Sequence, residues 1–167
     1  MSSELRVDKI VPTDGVPTGG GGGIVQVKQI QHSTSVKYTT NSFTSGLNSD
    51  NSTANFSITI TPKFATSKIL LSFTSMCDNN QSNQRVYITM FRSIGGGGAS
   101  NIVGGRGLVE LWNPDQRIQS TTTAQYLDSP NTIQEITYTM YAQVSAGTFY
   151  LGLYNNQKWM QAMEVSA

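Results

Sequence analysis

From Ile24 onward the chain alternates between apolar and polar positions. Phe56, Ile58 and Ile60 are separated by Ser57 and Thr59, and Ile136, Tyr138, Met140, Ala142 and Val144 face away from Thr137, Thr139 and Gln143. A two-residue period puts every second side chain on one face of an extended strand. The same period runs through Val86, Ile88 and Met90, through Phe149, Leu151 and Leu153, and through Trp159, Gln161, Met163 and Val165. Ile69, Leu71 and Phe73 alternate with Leu70, Ser72 and Thr74, so this strand starts apolar on both faces and is expected at the centre of a sheet. Ile24–Ile30 and Val36–Thr40 read as weaker strands.

Turn chemistry punctuates these runs at Ser45–Asp50, Asp78–Asn83, Asp128–Asn131 and Ser145–Gly147. No segment shows the 3.6-residue period of a helix, and Ala, Leu, Glu and Lys are too scarce to favour one. Roughly seven to ten strands with short connections make an all-β chain, an antiparallel β-sandwich of jelly-roll type. Two domains of unequal character are expected. Residues 1–23 form an arm with a glycine tether, and residues 24–167 form the sandwich body. The arm alternates through Leu5, Val7, Ile10 and Val11, turns at Pro12–Gly15 and ends in five glycines, Gly19–Gly23. It has too little apolar surface to fold alone, so it is expected to dock elsewhere.

Composition narrows the function. Ser, Thr, Asn and Gln fill 62 of 167 positions, whereas charged residues make up 13% and the net charge is +1. A field that weak does not suit non-specific nucleic-acid binding. No apolar run exceeds three residues and no basic head precedes an apolar stretch, so neither membrane insertion nor a signal peptide is expected. The one cysteine, Cys77, reads as a small buried thiol, and the one histidine, His32, as a solvated loop residue. One of each cannot make a zinc site or a catalytic triad of any strength. The ten acidic residues form no cluster. Neither Gly19–Gly23 nor Gly95–Gly98 leads into a phosphate-binding helix. No catalytic residue, metal or cofactor is expected.

Two loops are candidates for binding. Gly95–Gly107 reads as a long mobile connection carrying Asn101 and Arg106. Trp112-Asn-Pro-Asp115 places an indole at a loop base beside Asn113 and Asp115. An indole stacks on a sugar ring while neighbouring amide and carboxylate groups hydrogen-bond its hydroxyls, so host-surface glycan is the ligand these five residues suit. The competing reading makes Trp112 and Trp159 core or subunit-interface residues.

The arm, Ser3-Glu-Leu-Arg-Val-Asp-Lys-Ile-Val11, followed by the glycines and Ile24-Val-Gln-Val27, resembles the opening of small tail-fibre-like virion proteins of marine cyanophages and related tailed phages. Ser67-Lys-Ile-Leu-Leu71, Tyr126-Leu-Asp-Ser-Pro130 and the terminal Ala162–Ala167 extend the likeness over most of the chain, which is loosest from Gly95 to Ser120. The resemblance implies a β-rich homotrimer on the virion, with the arm held by other virion proteins. Three functions stand open: a tail fibre or tip protein for host attachment, a capsid decoration or cement protein, and a cellular carbohydrate-binding module.

Overall fold

A computed structural model describes residues 23–48, 50–54 and 56–166. The arm, with Leu5, Val7, Ile10 and Val11, lies outside the described residues. The rest folds into eleven strands: β1 (Ile24–His32), β2 (Val36–Tyr38), β3 (Ser57–Ile60), β4 (Lys68–Asn79), β5 (Gln84–Ile94), β6 (Ser100–Asn101), β7 (Val109–Asn113), β8 (Ile118–Asp128), β9 (Ile136–Val144), β10 (Phe149–Leu151) and β11 (Lys158–Val165). A single 3-10 turn, Leu153–Asn155, separates the last two.

All strand pairs are antiparallel. In sheet A, β8 runs along one side of β4, and β11 and β10 share the other side end to end, backed by β1 and β2 respectively. In sheet B the order is β3, β9, β5, and then β6 and β7 share the far side of β5. Counting each end-to-end pair as one interrupted strand leaves two four-stranded sheets, with the chain crossing between them in jelly-roll order. The expected β-sandwich is the fold, and β4 is central as its two-sided apolar start required.

The core lies between the sheets. Ile69, Leu71, Phe73 and Met160 from sheet A meet Ile58, Ile88, Met90, Tyr138 and Met140 from sheet B, all buried. Tyr38 and Phe149 close one end, ring centroids 5.8 Å apart. Gly46 sits at φ +81°, where an added Cβ would come within 2.5 Å of Val36 Cγ1, so only glycine allows this loop to lie on the core.

Two expectations need correction, and one strand carries no signal in the sequence. In β11 the buried side chains are Lys158, Met160, Ala162 and Glu164, and the apolar-looking series Trp159, Met163 and Val165 faces outward. Glu164 is held by Gln26 Nε2 at 2.6 Å and by the backbone N–H groups of Lys63 and Phe64 at 2.7 and 3.2 Å, which offsets its burial. Strand β8 has no apolar alternation to read. Its inward residues include Ser120, Thr122 and Ala124, and it is a strand because it pairs with the whole length of β4. Gly95–Gly107 is not one long loop. Ser100 and Asn101 pair with β5, and Gly97 N–H to Ile94 and Leu108 N–H to Ile88 fasten the turns on either side.

The apolar residues outside the core also divide differently from a single free surface. Leu70 and Met76 point out of sheet A, whereas Tyr87 and Phe91 point out of sheet B. There Phe91 stacks on Tyr141 at 4.0 Å and meets Phe43 at 6.2 Å. Sheet B is thus partly covered by its own chain.

Candidate functional site

The outer face of sheet B at β5 and β7 gathers aromatic and charged side chains. The register sets Trp112 opposite Arg85 and Glu110 opposite Tyr87. The Arg85 guanidinium lies 5.2 Å from the Trp112 ring centroid and donates to Glu110 Oε1 at 2.6 Å. That bond raises the basicity of Arg85 above the usual arginine value. Arg106 reaches in from the preceding turn, 5.4 Å from the Tyr87 ring centroid and 3.7 Å from Glu110 Oε2. Five side chains therefore form a continuous ladder across two strands. Trp112 stays 53% exposed, with Arg85 over its ring.

Of the five residues expected to bind, Trp112 and Arg106 come together here. Asn101 instead organises the turn: its Oδ1 accepts from Thr89 Oγ1 at 2.8 Å and from the N–H groups of Val103 and Gly104 at 3.1 Å. Asn113 is buried. Its amide donates to Asn79 O at 3.3 Å and Gln81 O at 2.9 Å, and its Oδ1 accepts from Gln116 N–H at 3.0 Å. A side chain so committed holds two loops in place and does not face a ligand. Asp115 is exposed in the following turn. Arg85, Tyr87 and Glu110 were missed by sequence reasoning, because what joins them to Trp112 is the direct pairing of β5 with β7, which β6 separates along the chain.

The ladder depends on the backbone beneath Arg106. Gly107 has φ +90°, and an added Cβ would stand 2.5 Å from Ile88 O and 2.8 Å from Thr89 Cβ. Both the left-handed dihedral and the contact with β5 require glycine. Gly107→Ala is expected to cost about 2 kcal/mol in chemical denaturation. It should also lift Arg106 from Tyr87, which intrinsic tyrosine fluorescence and amide exchange at Leu108 would register.

Other chemistry is sparse. Among the described residues no three His, Cys, Asp or Glu side chains lie close enough to hold a metal ion. His32 ends β1 rather than sitting in a loop, with its ring edge-on to Phe56 at 5.8 Å. Cys77 is buried as expected, and burial pushes its thiol up to about 11. No described helix is long and apolar enough to cross a membrane.

No protein-family model matches this chain, and no curated protein is similar to it. Among solved structures, a chain from the structure of infectious bursal disease virus, Gx strain, is similar over 99% of this chain and 44% of that one, with 10% identity and a TM-score of 0.41. The present chain thus spans less than half the length of that viral protein.

Proposed function

We propose that the chain is a non-enzymatic structural protein of a phage virion. It assembles as a homotrimer, is held to other virion proteins by its N-terminal arm, and serves as a tail fibre or tip protein that contributes to host attachment. The observation that carries the attachment role is the exposed Trp112 at the end of the Arg85–Glu110–Arg106 ladder. A flat indole on a rigid strand, flanked by guanidinium donors and one carboxylate acceptor, matches the stacking and hydrogen-bonding needs of a surface glycan. The virion setting is supported by the sequence likeness of the arm and body to small phage fibre proteins and by the all-β body, which fits the β-rich chain that likeness implies.

Trp112→Ala tests this reading. The side chain is half exposed, so the melting temperature should change little. Losing one stacking contact of about 1–3 kcal/mol should weaken adsorption of particles to cells by about 5- to 150-fold. Unchanged adsorption by particles that carry the variant would remove Trp112 as the contact. Quantitative mass spectrometry of particles then separates the roles: a few trimers per particle fits a fibre or tip, and many copies on the head fits decoration.

A further inference from the structure

We propose that the outer face of sheet A is the surface on which copies of this chain meet. The assignment rests on the homotrimer reading above and names the face that makes it. Side chains paired across β1, β11, β4 and β8 stand in rows on this face. One row, Val27, Met163, Leu70 and Leu127, is wholly apolar. The next is Gln29, Gln161, Ser72 and Gln125, and the third is Gln31, Trp159, Thr74 and Thr123. Twelve side chains over four strands include no charge. Yet Leu127 is 50% exposed, Val27 47% and Trp159 43%.

Strand spacing makes the neutral field roughly 15–20 Å on each edge, about 300–400 Å² in projection. That is the size of the desolvated centre of a standard interface of about 800 Å² per partner. Its margins are charged: Lys68 pairs with Val165 beyond the apolar row, and Arg117 binds Asp78 at the opposite end of β4. An uncharged centre with a charged rim is the anatomy of a protein–protein contact. A second copy of the same face is the occupant that electrostatics favours, because a charged partner would be desolvated here with no counter-charge to meet it. A hollow of about 360 Å³ beside Trp159, lined by Gln29, Gln161, Ser72 and Thr74, gives a neighbour's projecting side chain a place to seat. Sheet B offers no equivalent, since Phe43 and the turn carrying Arg106 lie over it and the ladder charges it. In a threefold ring the contact is heterologous, so the β1 margin of one copy meets the β8 margin of the next.

Full-length protein at about 10 µM should sediment as a trimer. Leu127→Glu and Val27→Glu each put a carboxylate on the neutral field at a position exposed enough for the fold to survive. Each should raise the dissociation constant by about 100-fold or more and yield monomers with an unchanged far-ultraviolet dichroism spectrum. Trp112→Ala should remain trimeric. The full-length double variant Leu5→Asp, Ile10→Asp should also remain trimeric; if it alone dissociates while the two face variants stay trimeric, the arm and not this face holds the copies together, and the proposal falls. Trimeric Leu127→Glu and Val27→Glu would overturn this assignment and leave the proposed function standing. A monomeric wild type would overturn both the assignment and the homotrimer reading.

Discussion

Arg92→Met is expected to destabilise the chain by about 3–5 kcal/mol, because it breaks an ionic latch between the two sheets. Arg92 Nη1, on β5, donates to both oxygens of Asp128 at 2.8 and 2.9 Å, and Asp128 ends β8 in the opposite sheet. The Tyr138 hydroxyl, on β9 directly across from Arg92, donates to Asp128 Oδ2 at 2.7 Å. The Asp128 side chain is only 7% exposed. Without Arg92 the carboxylate stays in the sandwich with one neutral donor, and a buried charge without its counter-charge costs far more than the pair contributes when intact. Burial and the bond to Asp128 also hold the Tyr138 phenol well above its ordinary range, so it remains a neutral donor. Replacing Arg92 by Met, Asp128 by Leu and Tyr138 by Phe together removes every unpaired group, and the triple variant should recover at least half of the loss. Urea denaturation of the two variants checks both figures. A loss below about 1 kcal/mol for Arg92→Met would show that water enters between the sheets at this end.

The second large effect is a rise in stability with pH where most proteins are flat. Lys158 is buried on β11. Its ammonium donates to Thr34 O and lies 5.6 Å from the Phe56 ring centroid. Burial lowers its pKa from 10.5 to about 8. Between those values the unfolded chain binds more protons than the folded one, so stability increases as pH rises. Over the full window Lys158 alone would contribute about 3 kcal/mol, which opposing groups cut to a net rise of about 1 kcal/mol at the peak. The Cys77 thiol works in the opposite sense. Burial raises it from 9.0 to about 11, so the unfolded chain releases that proton first and stability falls once pH passes the unfolded value. Tyr38 and Tyr138, also raised by burial, add to the fall above the ordinary tyrosine value of 10.0. Stability should therefore climb from about pH 8, peak near about pH 9 and decline beyond it. Lys158→Met should abolish the climb and keep the decline. Parallel wild-type and variant curves across this range would mean that the amine is not held near neutrality.

How much was legible varies from strand to strand. β3, β4, β5 and β9 announced themselves because large apolar residues recur at every second position along them, such as Ile69, Leu71 and Phe73 or Val86, Ile88 and Met90. β8 was silent because its inward series, Ser120, Thr122, Ala124, Tyr126 and Asp128, has no run of large apolar residues, and its place is fixed by backbone pairing with β4. The site divided similarly. Trp112 and Arg106 stood out as exposed, chemically distinctive residues. Asn113 looked like a ligand and is a buried brace, because an amide shows the same sequence signal whether its hydrogen bonds go to a sugar or to the carbonyls of Asn79 and Gln81.

The chain's own pattern determined that it forms strands, where most of them break and that they stack as an antiparallel sandwich, since period, turn residues and short connections are local properties. Tertiary structure decided which face of each strand is inside. In β11 the local pattern favours burying Trp159, Met163 and Val165. Pairing with β1 and β4 turns Lys158 and Glu164 inward instead, where Thr34, Gln26 and the backbone of Lys63 and Phe64 satisfy them. A one-residue change of register exchanges the two faces of a strand, and the partners that make one choice favourable lie 100 or more residues away along the chain.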